Sequence, residues 1–109
     1  MPHDELNLIQ GTLDLLVLQA LEAEPRHGYA VAHWVHERTD GVLAVEDGAL
    51  YTALHRMAKR GWLRSEWGLS ENNRRAKYYS LTRKGHDRLA AERTAWTRYA
   101  EAVFKVIRP

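Results

Sequence analysis

Residues 47–81 read DGALYTALHRMAKRGWLRSEWGLSENNRRAKYYSL, and this stretch predicts a helix followed by two strands. Leu50, Leu54 and Met57 lie four and then three residues apart, which is the spacing of one face of a helix. We therefore predict a helix over Asp47–Arg60 whose inner face carries these three side chains.

The ends of this helix are marked by residues that commonly begin and end helices. Asp47 is a suitable N-cap, because its side-chain oxygen can accept a hydrogen bond from a free backbone N–H of the first turn. Glu46 adds a negative charge that the helix dipole favours, and Gly61 ends the helix. Local chemistry thus predicts both boundaries.

A β-hairpin is expected directly after this helix. Trp62–Trp67 alternates along the chain as a half-buried strand does, and Ala76–Leu81 is rich in tyrosine and also reads as a strand. The polar segment between them, Gly68–Arg75, has the composition of a turn. The two strands and the loop form a wing-like hairpin.

The rest of the sequence is mainly helical. Helices are expected over Leu6–Ala23, which Pro25 stops, over His27–Thr39, which Gly41 follows, and from the N-cap Thr82 to about Val106, with at most a short strand at Val42–Val45. Three helices, a hairpin and a final helix are the order of a winged helix-turn-helix, a mainly α fold with a small β-hairpin. We expect residues 1–81 to form the DNA-binding domain and residues 82–109 a C-terminal dimerisation helix.

Length and composition exclude several classes of protein. The chain has 109 residues, of which 45% are hydrophobic and 28% charged, as in a single globular domain. It has no cysteine, which excludes disulfide scaffolds, thiolate metal sites and cysteine nucleophiles. The longest uncharged apolar run, Leu15–Leu21, is far shorter than the ~20 residues of a membrane span, and the acidic N-terminus does not read as a secretory signal. We therefore expect a cytoplasmic protein with no membrane contact.

The charges are distributed unevenly along the chain. Residues 1–50 carry two basic and nine acidic residues, whereas residues 51–109 carry fourteen basic and five acidic ones. This asymmetry indicates that one side of the protein meets a polyanion, or else that the basic residues cover an ordinary solvated surface.

Two basic groups of residues are the candidates for contact with DNA. The outer face of the third helix combines small, hydrogen-bonding and cationic side chains, and the hairpin adds a cluster of cations beside two tyrosines. The candidate DNA-binding residues are Gly48, Tyr51, Thr52, His55, Arg56 and Lys59 on the helix and Arg74, Arg75 and Lys77 on the hairpin. Each group alone is also compatible with an ordinary solvated surface, but the helix face and the hairpin independently indicate contact with DNA.

The last helix carries an apolar stripe with coiled-coil spacing. A helix from Thr82 to Val106 is about 37 Å long, whereas a domain of this size has a radius of gyration of about 13 Å, so its C-terminal half should project from the core. A second copy of the chain is the simplest partner for the stripe, and folding back on the first helix is the alternative. The candidate interface residues are Leu89, Trp96, Tyr99, Ala100, Val103, Phe104 and Ile107.

Other chemistry has little support in this sequence. His33 and His36 lie three residues apart beside Glu37, but no further metal ligand follows at helical spacing, so we expect no metal or other cofactor. No arrangement of serine, histidine and carboxylate indicates nucleophilic catalysis, and no glycine-rich loop indicates phosphate chemistry. We therefore expect the protein not to be an enzyme.

Five segments, taken in order, resemble the PadR family of bacterial transcriptional regulators. They are Gly11–Leu18 (GTLDLLVL), Pro25–Tyr29 (PRHGY), Asp47–Leu54 (DGALYTAL), Arg60–Leu63 (RGWL) and Arg74–Thr82 (RRAKYYSLT), with Gly85 after the last. The family often has serine where this chain has Ala49 and proline where it has Thr52, so the resemblance carries no operator sequence with it. The single C-terminal helix resembles the short subfamily.

The resemblance implies a homodimer held by the last helix with help from the first, and a repressor that binds an inverted repeat in double-stranded DNA. Some family members release DNA when a small aromatic molecule binds near the dimer interface. Trp96, Tyr99 and Phe104 are the candidate effector-binding residues, although they could equally only pack the interface. A winged-helix module that binds an acidic protein and not DNA is the alternative function.

Overall fold

The structure is a computed structural model that describes Leu8 and residues 11–108. The elements, in chain order, are α1 (Thr12–Ala20), β1 (Arg26–His27), α2 (Gly28–Arg38), α3 (Asp47–Lys59), β2 (Leu63–Leu69), β3 (Arg75–Leu81) and α4 (Arg83–Ile107). The expected order of three helices, a hairpin and a last helix is confirmed. The two-residue strand β1 was not anticipated by the sequence pattern.

The three strands form one antiparallel sheet in the order β1-β3-β2. The β2–β3 hairpin runs in register from Leu63 opposite Leu81 to Leu69 opposite Arg75. Its strands therefore reach further toward the tip than expected, because the predicted loop Gly68–Arg75 supplies residues to both strands. The remaining turn is closed by the Ser70 N–H, which donates to the carbonyl oxygen of Arg74 at 2.8 Å.

The hydrophobic core lies where α1, α2 and α3 meet the base of the hairpin and the start of α4. Leu50, Leu54 and Met57 are completely buried, so the predicted inner face of the third helix is confirmed. Burying a side chain of this size contributes about 1.5–3 kcal/mol, and these three pack into the shared core with α1, α2 and the base of the hairpin. The core thereby fixes which side of α3 faces solvent.

The first helix is shorter than predicted within the described residues. It begins at Thr12 after Gly11, whose φ of 88° is left-handed, and it ends at Ala20 rather than at Ala23. The end is set by tight i to i−3 hydrogen bonds, from the N–H of Leu21 to the oxygen of Leu18 and from Glu22 to Gln19, both at 3.2 Å. Apart from Leu8, the predicted start over residues 6–10 lies outside the described residues.

The second helix and the segment after it also differ from expectation. His27 is the N-cap of α2 and not its first residue, because its ring nitrogen Nδ1 accepts the N–H of Ala30 at 3.2 Å. The helix ends at Arg38. The expected short strand at Val42–Val45 is reduced to a single bridge residue, since the N–H of Leu43 donates to the side chain of Thr39 at 3.1 Å.

The last helix begins where it was predicted to begin. Thr82 is the N-cap, and its Oγ1 accepts the N–H of Gly85 at 3.0 Å while it lies 2.6 Å from the carbonyl oxygen of Gly61. The radius of gyration is 15.0 Å, above the ~13 Å of a compact domain of this length. Past its first turns α4 is exposed, so the prediction that its C-terminal half projects from the core is confirmed.

Candidate nucleic-acid interface

The side of α3 that faces away from the core presents most of the predicted DNA-binding residues. The residues exposed on it are Gly48, Tyr51, Thr52, His55 and Lys59. They combine two small or short side chains near the helix N-terminus with hydrogen-bonding and cationic groups further along. Such a face can approach base edges closely at one end and phosphates at the other.

The first turn of α3 is held by Glu46, the residue before the helix. Its carboxylate accepts hydrogen bonds from the N–H groups of Gly48 at 2.8 Å and Ala49 at 2.9 Å. These two hydrogen bonds lower the pKa of Glu46. The predicted N-cap, Asp47, is wrong, because Asp47 is already helical and the longer side chain before it reaches the free amides.

Tyr51 packs against the start of α2. A Cβ atom at Gly28 would lie 2.7 Å from the Tyr51 ring and from its hydroxyl, so a larger residue there would displace the ring from this position. The Tyr51 side chain nevertheless stays 45% exposed. The contact places an aromatic hydroxyl at the junction of the two helices of the helix-turn-helix.

Arg56 has its charged group bound by another helix of the protein. Its guanidinium donates two hydrogen bonds to the carboxylate of Asp14 on α1, at 2.7 and 2.8 Å. The hydrogen bond to Asp14 raises the pKa of Arg56. Asp14 therefore ties the third helix to the first through a bidentate ion pair.

Replacing Asp14 with asparagine is expected to lower the free energy of unfolding by about 1 kcal/mol. The side chains of Asp14 and Arg56 are 24% and 37% exposed, so solvent screens the pair and keeps the loss modest. Urea denaturation followed by circular dichroism measures it. Glu92→Gln is the matched control, because it removes an i, i+4 pair with Arg88 on α4 that should contribute only about 0.3–0.5 kcal/mol. Equal losses in the two variants would show that the bidentate geometry adds nothing.

The hairpin, which we call the wing, carries its cations in two different settings. Arg74 lies exposed in the turn. Arg75 and Lys77 instead approach the indole ring of Trp67, with the guanidinium carbon at 4.4 Å and the ammonium nitrogen at 5.8 Å from the ring centroid. Trp67 is not among the residues predicted to contact DNA, although its place in an alternating strand opposite a basic strand is a signal for this contact.

The tip of the wing is tied to the start of α2. The Nε2 atom of His27 lies 3.3 Å from a carboxylate oxygen of Glu71 in the wing turn. Because Nδ1 of His27 accepts the Ala30 N–H, the ring proton belongs on Nε2, which donates to Glu71. The pKa of Glu71 is lowered by its own backbone N–H first and by His27 second. This contact links the turn of the wing to the N-cap of α2.

Two open clefts separate α3 from the wing. One, of about 620 Å³, is lined by Tyr51 and His55 of the helix and by Trp67, Arg75 and Lys77 of the wing, among other residues. The other, of about 990 Å³, has Lys59, Arg60 and Ser65 among its lining residues and shares His55, Lys77 and Tyr79 with the first. Burial of Tyr79 at the floor raises its pKa. The 990 Å³ cleft has cations on both walls, Lys59 and Arg60 opposite Lys77, and the 620 Å³ cleft has Arg75 and Lys77 on its wing wall, which suits both clefts to a phosphate backbone.

The apolar stripe of α4 divides into a buried and an exposed part. Leu89 is 1% exposed in the core of its own chain, so its predicted place in a dimer interface is wrong: α1 and the hairpin base already cover this turn of α4. Further along, Arg93 bonds to Gln19 of α1 at 2.7 Å. The remaining predicted interface residues lie beyond the core, with Ala100 half-buried and Trp96, Tyr99, Val103, Phe104 and Ile107 exposed.

The histidines of α2 do not form a metal site with other described residues. Among the described residues no group of three or more histidine and carboxylate side chains could hold a metal ion. The ring of His33 stacks on that of Tyr29, with centroids 6.2 Å apart. No helix in the described part of the chain is both long enough and apolar enough to cross a membrane.

Comparison with known proteins supplies independent information. The sequence profile of the Transcriptional regulator PadR-like family matches residues 17–91. A PadR family transcription regulator from Clostridium difficile is 31% identical, with a TM-score of 0.74 over 91% of this chain and 100% of that chain. A transcriptional regulator from Clostridium thermocellum has a TM-score of 0.82 at 24% identity, covering 91% and 93%. An uncharacterized protein from Lysinibacillus sphaericus is 24% identical over 89% of both chains.

Proposed function

Because this chain belongs to the PadR-like family of transcriptional regulators, we propose that it represses transcription by binding an inverted-repeat operator as a homodimer. The family membership makes it a DNA-binding regulator of winged-helix fold rather than an enzyme. Operator DNA would be met in the cytoplasm.

The observation that carries the proposal is the pair of clefts between α3 and the wing. His55 and Lys77 line both clefts from opposite walls, and Arg75 and Lys59 each line one of them. A winged helix that places α3 in a major groove brings the adjacent DNA backbone between these walls. The cations would then neutralise phosphates on either side of that strand, which supplies most of the sequence-independent affinity.

Base readout is assigned to the exposed N-terminal half of α3. Gly48, Tyr51 and Thr52 lie there, with His55 one turn further on. Hydrogen bonds from the side chains of Tyr51, Thr52 and His55 to base edges in the major groove can discriminate between base pairs, and Gly48 lets the helix backbone approach them closely. Arg56 is better placed to orient α3 against α1, because its guanidinium is already bound to Asp14.

The homodimer is assigned to the exposed part of the α4 stripe. Trp96, Tyr99, Val103 and Phe104 together form a large apolar surface on a projecting helix, and such surfaces mark interfaces. A two-fold dimer would present its two third helices to successive major grooves about 34 Å apart. The same aromatic side chains are the candidate effector site, and a small aromatic effector would release DNA only if it bound one helix spacing better than the other.

The experiment that tests this function is fluorescence anisotropy of a labelled duplex from the DNA upstream of the protein's own gene. A scrambled duplex of the same composition is titrated beside it, at low and at near-physiological salt. We expect a preference for the native duplex that persists at the higher salt. Binding that is equal on both duplexes and disappears with salt would contradict sequence-specific regulation at that site. Absence of binding to either would favour the alternative, a module that docks an acidic protein.

The double variant Arg74→Ala/Arg75→Ala is expected to weaken binding to native and scrambled duplexes alike. Each arginine that contacts a phosphate contributes about 1 to the slope of log affinity against log salt, so the slope should flatten. Anisotropy titrations over a range of salt concentrations measure it. The variant Arg38→Ala/Arg98→Ala removes two exposed cations of α2 and α4 and should change the slope much less. An unchanged slope in the wing variant would remove the wing from the interface.

A further inference from the structure

Trp67 is a large apolar side chain that the core does not use. It is 56% exposed, although it lies on the same face of β2 as Leu63, which is buried. Trp67 is four positions further along the strand than Leu63, so it lies beyond the core and over the cleft between the wing and α3. An exposed indole in this position needs a reason other than packing.

Two cations of the neighbouring strand lie against this indole. Lys77 is directly opposite Trp67 in the β2–β3 register, and its ammonium nitrogen is 5.8 Å from the ring centroid. Arg75 is the diagonal neighbour, with its guanidinium carbon 4.4 Å from the centroid. Both distances are within the range of cation–π attraction, and diagonal pairs of this kind are within reach of long side chains.

The same two cations line the cleft that faces α3, together with Tyr51 and His55. Free arginine and lysine side chains sample many rotamers, and binding a phosphate requires that most of this freedom be lost. A ring that already holds both side chains on the wing would reduce that loss. The indole thus acts on the cations and need not touch DNA itself.

We propose that Trp67 is a positioning residue of the DNA interface: its indole holds Arg75 and Lys77 on the wing face turned toward α3, ready to meet the DNA backbone. This inference rests on the proposed function, which it deepens by adding a residue that carries no charge. Loss of the Trp67 indole should affect DNA binding differently from loss of a side chain that contacts a phosphate. Removing the ring should weaken binding without changing the number of phosphates neutralised.

The test compares Trp67→Leu, Trp67→Phe and Arg75→Ala by anisotropy on a labelled duplex of about 30 base pairs from upstream of the protein's own gene, room for two half-sites one turn apart. We expect Trp67→Leu to weaken binding about fivefold with an unchanged salt slope. Trp67→Phe keeps an aromatic face and should recover part of that loss. Arg75→Ala should reduce the slope by about 1 per protomer.

Leu69→Ala is the matched control, because it removes exposed apolar surface from the same strand but leaves the indole and its two cations in place. Thermal unfolding of each variant confirms that the wing remains folded. Equal affinity of Trp67→Leu and wild type would overturn the inference, as would a reduced slope in Trp67→Leu or an equal loss in Trp67→Phe. Failure of the wild type to bind either this duplex or its scrambled form would instead overturn the proposed function.

Discussion

The Trp96→Glu variant is expected to be a monomer and to bind operator DNA about 100-fold or more weakly than the wild type. Trp96 lies on the projecting part of α4, where it is 37% exposed in the single chain and begins the exposed apolar stripe. A dimer would cover it with a second copy of the same surface. A carboxylate in that position would have to be buried without a partner or leave the interface open.

The loss in DNA affinity follows from the geometry of two half-sites. In a dimer, binding of one third helix brings the second to its half-site at an effective concentration of about millimolar, so the two contacts reinforce one another. A monomer has only one such contact, plus the phosphate contacts of one wing. The proposed inverted repeat therefore makes dimerisation a condition of specific binding and not only of stability.

Light scattering during size-exclusion chromatography measures the mass, and anisotropy on native and scrambled duplexes measures the binding. Thr94→Glu is the matched control, because it adds the same charge on the opposite side of α4, at an exposed position away from the stripe. We expect Thr94→Glu to remain dimeric and to bind nearly as well as the wild type. A dimer that persists in Trp96→Glu would refute the α4 interface.

The parts of the fold that could be predicted are those decided by neighbours in sequence. The inner face of α3 follows from the spacing of Leu50, Leu54 and Met57, and the start of α4 follows from the cap at Thr82. Each feature depends on a few residues that are close in sequence and that have one usual structural role. The N-cap of α3 was predicted at the wrong residue because two neighbouring carboxylates, Glu46 and Asp47, could both accept the free amides. Only the backbone geometry decides that Glu46 does so.

The contacts that could not be predicted join residues far apart in the chain. Asp14 and Arg56 are 42 positions apart, and His27 and Glu71 are 44 apart, so no helical or strand period relates them. Leu89 is a second example of a position whose surroundings depend on residues far away in the chain. Its spacing places it correctly on the apolar stripe of α4, but only the packing of α1 and the hairpin determines that the core ends beyond it.

The second large effect is expected at Gly85, where replacement by alanine should lower the free energy of unfolding by about 3 kcal/mol. Gly85 lies in the first turn of α4 and is buried against the backbone of Trp62. A Cβ there would lie far inside the van der Waals contact distance of the Trp62 carbonyl oxygen and 3.1 Å from its carbonyl carbon. That oxygen cannot easily move, because it accepts the backbone N–H of Thr82 at 3.1 Å.

The sign of the effect separates this clash from ordinary helix propensity. Alanine in a helix is favoured over glycine by about 1 kcal/mol, so a variant limited by propensity would gain stability. Gly48→Ala is the matched control in the first turn of α3, where the new Cβ would meet only the flexible Glu46 carboxylate at 3.2 Å. Thermal unfolding should show a fall of more than about 10 °C for Gly85→Ala and little change for Gly48→Ala. Equal stability of Gly85→Ala and wild type would mean that α4 is not seated on the turn between α3 and the hairpin. The contact between Gly85 and Trp62 sets the angle at which α4 extends away from the hairpin. Because α4 is the proposed dimer helix, any movement that relieves the clash should also change the spacing of the two third helices in the dimer.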